Sequence, residues 1–173
     1  VILIIEGSDL VGKTTLAKRI AKLNSWPIIK TRWSLRGNPE IETRAMADST
    51  LRILHATRPD VIFDRIYFSW WAYGAALGHE VWYMPELIED FGGIVDARLI
   101  LLTATEAEIR QRYERDPQHL FSLRTILKAN ERFPSLLPLL PHRLPYLHID
   151  TTSNSADDVF EQVKATMPEV IHA

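Results

Sequence analysis

The sequence predicts an α/β fold in three layers, with a five-stranded parallel sheet, helices on both of its faces and a short lid. Three observations carry this reading. Five β-rich runs, Val1–Glu6, Trp26–Thr31, Asp60–Asp64, Ala97–Thr103 and Tyr146–Asp150, alternate with helical patterns, the order that an open parallel sheet with crossover helices requires. Several of these runs are continuously apolar, as strands covered on both faces are. The first run passes straight through a glycine-containing loop into a helical pattern.

Taken in order, "VILIIE" is apolar but six residues long, so it reads as a buried strand rather than a signal peptide or a membrane span. Lys13–Leu23 places Leu16, Ile20 and Leu23 on one helical face, and Ile41–His55 carries Ala47, Leu51 and Leu54 on another; both are expected to pack on the sheet. Thr105 with Glu108 has the form of a capping box, opening a helix that presents Ile109 and Tyr113 inward. Ser155 with Asp158 is a weaker version, opening a last helix with Val159, Val163 and Met167 on one face. The stretch "FPSLLPLLPHRLP", 133–145, cannot hold one long helix, because each internal proline removes a donor and clashes with the preceding turn. A short helix and a connection are expected there.

The chain of 173 residues, 46% hydrophobic, suffices for one sizeable core and is short for two, so residues 1–173 are read as a single domain. Twenty basic and twenty-two acidic residues leave a net charge of −2, and no long-range field favours nucleic acid or a membrane. The sequence contains no cysteine, which excludes a disulfide framework, a thiolate zinc site and a cysteine nucleophile. A cytoplasmic setting is expected.

Gly7, Gly12, Lys13 and Thr14 form G-x-x-x-x-G-K-T between a predicted strand and a predicted helix, the context this motif requires. The fixed residues would coincide by chance in roughly one chain in 200 of this size, so chance is a poor account. Glycines let the backbone wrap and point N–H groups at phosphate oxygens, and a helix N-terminus adds partial positive charge. Gly7, Ser8, Gly12, Lys13, Thr14 and Thr15 are therefore expected to cradle a nucleoside triphosphate, with Lys13 bridging the β- and γ-phosphates and Thr14 ligating Mg²⁺; the loop alone serves kinases, GTPases and motors alike. Asp9 is anomalous in an anion-binding loop. Aimed at the phosphates it would oppose them by several kcal/mol, so it is expected to point away.

The stretch "FDRIYFSWWAYG", 63–74, starts at the end of the third predicted strand. Ligands in such sheets bind at the carboxyl ends of strands, so Asp64 and Arg65 are expected to face the phosphate loop. Arg65 there suits an acceptor phosphate, and Asp64 suits Mg²⁺, its waters or the attacking oxygen. A buried Asp–Arg pair tying strand to helix is the structural alternative.

The two motifs together resemble the thymidylate kinase family of P-loop nucleoside monophosphate kinases, within a wider group that includes deoxynucleoside kinases. The family's E-G-x-D-x-x-G-K-[ST]-T is matched by Glu6, Gly7, Asp9, Gly12, Lys13, Thr14 and Thr15, and its D-R-Y-x-x-S-x-x-A-Y-Q by Asp64, Arg65, Ser69, Ala72 and Tyr73. Ile66 and Gly74 depart from it; the glutamine replaced by Gly74 lies near the nucleobase in the family. The resemblance implies transfer from ATP, with Mg²⁺, to a pyrimidine deoxynucleoside monophosphate (dTMP or a 5-substituted dUMP), a homodimer, and an Asp9 that accepts a hydrogen bond from the acceptor's 3′-hydroxyl. It makes Ser69 and Tyr73 substrate-binding candidates. "TRWSLRGNP" at 31–39 stands where the family has "TREPGG"; Arg32, Arg36 and the nearby Arg44 are candidates for the acceptor phosphate, with a solvated surface position as the alternative for each, and Trp33, with Trp70 or Trp71, is placed to border the acceptor pocket. For most of these aromatic rings, core filling is the alternative use.

In the family the segment matching 110–121 is a lid whose arginines neutralise the transferred phosphoryl group. Arg110, Arg112 and Arg115 are available, Arg112 and Arg115 as i, i+3 neighbours and Arg110 on another side. An exposed face paired with Glu108 and Glu114 is the alternative. Leu10 and Val11 stand where some family members carry a catalytic arginine in the loop, which shifts that charge to the lid. Two other readings stand beside the first. One changes the acceptor to a hydroxyl of a deoxynucleoside or of a modified base in DNA. The other is a nucleotide-binding switch, which the absence of an N-K-x-D-type guanine reader disfavours.

Overall fold

The computed structural model describes residues 1–31, 38–57, 60–91, 94, 96–116 and 120–171, with 56 and 57 described in the backbone alone. The strands β1 (Ile2–Gly7), β2 (Ile28–Lys30), β3 (Val61–Asp64), β4 (Ala97–Thr103) and β5 (Tyr146–Asp150) form one sheet in the order β2-β3-β1-β4-β5, and every pair is parallel. Every residue of the central β1 is buried. Since successive side chains point to opposite faces, both faces of the sheet must be covered. The helix α1 (Lys13–Asn24) packs against β1, β3 and the last helix, here α7 (Ala156–Thr166), while α3 (Ser69–Ala76) packs against α6 (Leu123–Arg132) and a 3₁₀ turn, Phe133–Leu139, that reaches β4. No helix among the described residues is long and apolar enough to cross a membrane.

Leu16 and Ile20 of α1 are buried as expected, but Leu23 is 47% exposed. The final turn runs past the elements it packs on, and Ser25 at φ 57° reverses the chain towards β2. The helix α2 (Pro39–Thr57) starts two residues before the apolar pattern, because Pro39 suits the first helical position and the Asn38 side chain accepts from the Glu40 and Ile41 N–H groups at 3.0 and 3.4 Å. In α3 the sequence SWWAYGAA is apolar nearly all round, so no amphipathic period marks it. The helix α6, by contrast, is amphipathic, with Ser122 as its cap and Ile126 and Ala129 buried, and it was not singled out from the sequence. The remaining helices are α4 (Met84–Asp90) and α5 (Glu106–Arg115).

The two capping boxes exchange rank. Thr105 accepts from the Glu108 N–H at 3.4 Å, but the Glu108 carboxylate is drawn to Arg112, one turn on, at 2.7 Å. Ser155 and Asp158 complete both bonds of their box.

One charged group lies wholly inside. The Glu6 carboxylate, 0% exposed, accepts from the Ile66 N–H at 2.8 Å and the Ser69 hydroxyl at 2.5 Å, tying the end of β1 to the turn after β3. Burial pushes its pKa from 4.5 up to about 7, against the pull of those two hydrogen bonds and of Arg65 and Lys13.

Two predictions follow from these contacts. Ser155→Ala should cost about 1 kcal/mol in urea unfolding and more than Thr105→Ala; the reverse order would contradict the completed box. For Glu6, the folded chain holds a proton between pH 4.5 and about 7 that the unfolded chain has released, so this group's contribution to stability falls as pH rises through that window, by on the order of 3 kcal/mol. Glu6→Gln should therefore gain stability relative to wild type between pH 5 and pH 8, and a pH-independent difference would contradict the burial of the charge.

Candidate active site

The phosphate loop owes its shape to its glycines. Gly7 sits at φ 138°, and a Cβ there would lie 2.2 Å from the Leu102 carbonyl oxygen of β4, so no larger residue fits. Leu10 at φ 72° and Gly12 at φ 91° complete the turn into α1, where Gly12 is the N-cap with no side-chain cap on the helix N–H groups. Those groups are what a phosphate would meet. Ser8 is buried and bonds to the Asn130 side chain at 3.1 Å, so its hydroxyl braces the loop from behind.

Lys13 is buried, and its ammonium donates to the Ser8 carbonyl. Burial, with Arg65 adding repulsion, lowers its pKa to about 7, while Asp9, Asp64 and Glu6 oppose the shift. The Thr14 hydroxyl donates to Asp64 Oδ2 at 2.8 Å, and Lys30 Nζ lies 3.2 Å from the same oxygen. Among the described residues no group of three His, Asp or Glu is clustered for a metal. The hard oxygens of Thr14 and Asp64 nevertheless fit Mg²⁺, which takes few protein ligands and completes its shell with water and substrate phosphates. Lys30, at the carboxyl end of β2, was not singled out from the sequence.

Asp64 and Arg65 both face the loop, as their strand end predicts, but they do not pair with each other. Arg65 Nη2 pairs with Asp9 and lies 3.4 Å from the Tyr73 hydroxyl. Its Nε and Nη1 have no hydrogen-bond partner among the described residues. The Tyr73 hydroxyl accepts the Asp9 N–H at 2.7 Å, and the guanidinium sits 4.9 Å from the centre of the Tyr73 ring. Burial works against the Arg65 charge, yet Tyr73 and Asp9 hold its pKa above the usual arginine value. Asp9 thus turns to a cation, away from the anion cradle, and its side chain is 32% exposed to the cavity.

That cavity, 1050 Å³, is lined by Asp9, Gly12 to Thr15, Lys30, Asp64, Arg65 and Arg112, with Thr151 and Asn154 beyond. Gly7 and Ser8 shape it from outside. Of the lid arginines it admits Arg112 alone. Arg112 donates to the Leu10 carbonyl at 2.8 Å, to the Thr151 hydroxyl and carbonyl at 3.1 and 2.8 Å, and to Glu108, which makes it a clamp between the phosphate loop and the turn after β5. Arg110 is held by Glu106 at 2.6 Å beside a separate cavity of 630 Å³ between α5 and α6. Arg110 thus lies away from the phosphate loop, on another side of α5 from Arg112 as the helical spacing predicts, and its i, i+4 partner Glu106 engages its guanidinium. Arg115 reaches the Gln111 amide at 2.8 Å, with that amide turned to suit its neighbours.

Arg32, Trp33 and Arg36 lie outside the described residues, as do 117–119 of the lid segment. Arg44 is tied to Glu40 and Glu86. Ser69 is spent on Glu6. Trp70 is 2% exposed and belongs to the core; its indole lies over Gly74, where a Cβ would come within 2.7 Å of the ring. The departure at Gly74 therefore has a steric reason, since Trp70 occupies the space a side chain there would need. Phe121, at the end of the lid segment, stacks on Tyr73 with ring centres 4.8 Å apart.

The chain matches no protein-family model and no curated protein. It is similar over its whole length to solved structures. The YorR protein of Bacillus subtilis, in complex with phosphorylated GDP, aligns over 100% of this chain and 99% of its own at 21% identity and TM-score 0.70. The deoxyadenosine kinase of M. mycoides, with the products dCMP and dCDP bound, aligns over 98% and 100% at 14% identity and TM-score 0.67. The thymidylate kinase of Candida albicans aligns over 97% and 91% at 16% identity and TM-score 0.70. The chain shares its P-loop α/β fold with these structures, among them a deoxynucleoside kinase and a nucleotide kinase.

Proposed function

We propose that the protein transfers the γ-phosphoryl group of ATP to a pyrimidine deoxynucleoside monophosphate, dTMP or a 5-substituted dUMP. The observation that supports this most is the Asp9–Arg65 pair at the edge of the phosphate loop. It offers a carboxylate acceptor and a cation with two nitrogens unengaged among the described residues, side by side, where an acceptor's sugar hydroxyl and phosphate would need them. The resembling family and the thymidylate kinase among the similar structures support a monophosphate acceptor, whereas the deoxyadenosine kinase supports the second reading below.

In this reading the chain positions and neutralises rather than reacting covalently. Lys13 leaves the Ser8 carbonyl for the β- and γ-phosphates. Thr14 and Asp64 would hold Mg²⁺, which would supply charge neutralisation at the phosphates. Arg65 grips the acceptor phosphate, and Asp9, which orients Arg65, also receives the 3′-hydroxyl. An acceptor phosphate oxygen attacks the γ-phosphorus as its bond to the β–γ bridging oxygen breaks, giving a diphosphate and ADP. Arg112 keeps the loop in register with the turn after β5, and Arg115, which has no ion pair among the described residues, is the lid arginine available for the transferred group.

A second reading keeps the donor and takes a hydroxyl acceptor, on a deoxynucleoside or on a modified base in DNA. The Trp70 ring over Gly74 favours keeping it, because the family's base-reading amide has no counterpart at that position.

Purified protein with labelled ATP, Mg²⁺ and a panel of deoxynucleoside monophosphates, deoxynucleosides and DNA separates these readings. Label on dTMP or a 5-substituted dUMP is expected; ATP hydrolysis indifferent to every acceptor would leave a nucleotide-binding switch. Arg65→Ala should raise the acceptor KM by about tenfold or more, equivalent to about 1.4 kcal/mol per decade, and that of ATP far less. Asp64→Asn should raise the Mg²⁺ concentration for half-maximal rate; an unchanged requirement would remove Asp64 from the metal site.

A further inference from the structure

Arg65 holds a backbone conformation that its side chain does not favour. At φ 75° it lies in the left-handed region, where a Cβ crowds the backbone and non-glycine residues are uncommon. Such a conformation persists only where its surroundings over-determine it. Three hydrogen bonds do so here. The Arg65 N–H donates to the Ile5 carbonyl at 3.1 Å, the Arg65 carbonyl accepts the Thr31 hydroxyl at 3.1 Å, and the next N–H, that of Ile66, donates to the Glu6 carboxylate at 2.8 Å.

The first bond continues the β1–β3 ladder and would form for any residue. The other two are side-chain contributions, one from Glu6, which is buried, and one from Thr31, which lines the edge of the cavity. Glu6 is sealed from the cavity, and its second oxygen takes the Ser69 hydroxyl at the start of α3. Four residues along that helix, Tyr73 receives Arg65 and the Asp9 N–H. Glu6 therefore fixes two of the parts that meet around the guanidinium: the turn that launches Arg65 and the helix that carries Tyr73. Thr31, at the end of β2, fixes the same turn from the other side.

We propose that Glu6 and Thr31 are positioning residues for the acceptor site: they hold Arg65 in its left-handed conformation, and so aim its guanidinium at Asp9 and Tyr73. The inference rests on the reading of Arg65 as the acceptor grip, but its geometric half can be measured without any substrate. The groups facing the Glu6 carboxylate are the Ile66 N–H, the Ser69 hydroxyl, Arg65 and Lys13. All of these favour a carboxylate or an amide oxygen there, and none is served by an apolar group.

The test compares Glu6→Leu, Glu6→Gln and Thr31→Val with wild type. The first readout is the Nε–H signal of Arg65 in a nitrogen-15 spectrum, assigned by its loss in Arg65→Lys, together with its solvent exchange rate. The second is the pair of KM values. Glu6→Leu and Thr31→Val should shift the Arg65 signal, speed its exchange, and raise the acceptor KM by about tenfold while the KM for ATP stays within about twofold. Glu6→Gln, whose amide oxygen still accepts the Ile66 N–H, should restore both readouts. On an Arg65→Ala background, Glu6→Leu should add nothing further to the acceptor KM. A folded Glu6→Leu or Thr31→Val protein with a wild-type Arg65 signal and acceptor KM would overturn the inference, as would parallel rises in both KM values. Should Glu6→Leu not fold, Thr31→Val decides. A wild-type protein that phosphorylates no acceptor would sink the proposed function instead, and the Arg65 signal alone would then decide the positioning role.

Discussion

The parallel pairing of β1 with β3 is the constraint from which the rest of the site follows. Its register sets Ile5 opposite Asp64, so the two chains leave the sheet side by side, one as the phosphate loop and the other as Arg65 and the turn into α3. A slip of one residue would send every side chain of β3 to the other face, carrying Asp64 away from Thr14. Long apolar strands buried on both faces make that slip costly, because the core on each side is packed against a particular set of side chains.

With the strand ends juxtaposed, the charges at their tips must compensate one another. Glu6, Asp9 and Asp64 carry the acidic side, and Lys13, Lys30 and Arg65 the basic side. The loop that would receive phosphate is thus neutralised internally by groups that can change partners. Lys13 rests on a carbonyl rather than a carboxylate, so it can move to a phosphate without leaving a buried anion unpaired. Asp9 is not an intruder in an anion site. It is the counter-charge that keeps Arg65 oriented beside it.

The helices and turns around this centre act on it through backbone groups more than through charges. Arg112 binds the Leu10 carbonyl, Asn130 holds Ser8 and the Ala104 backbone, and Tyr73 holds the Asp9 N–H. Each takes up a main-chain or hydroxyl group that a tight loop would otherwise leave without a partner. Phe121 on Tyr73 extends the same support to the end of the lid segment.

The five strands and the phosphate loop were legible in the sequence, because the inner strands β1, β3 and β4 are mostly apolar runs buried in the sheet, the more exposed edge strands β2 and β5 fall at the spacing of a parallel sheet with crossover helices, and a glycine loop between strand and helix has few other uses. The facing of Asp64 and Arg65 towards that loop also follows from chain order alone, since strand ends in such sheets converge. Partner choice does not. Whether Arg65 meets Asp64 or Asp9, whether Glu108 caps its helix or binds Arg112, and whether Trp70 borders a ligand or covers Gly74 each depend on which groups the fold brings within hydrogen-bond or van der Waals reach. The same holds for Glu6, which in the sequence is one matched position of a motif and in the fold is a buried anchor. Local pattern determined the elements and the nucleotide cradle. Only the tertiary structure, by bringing residues some sixty positions apart into contact, decided which charges pair and hence how the cavity beside the phosphate loop is built.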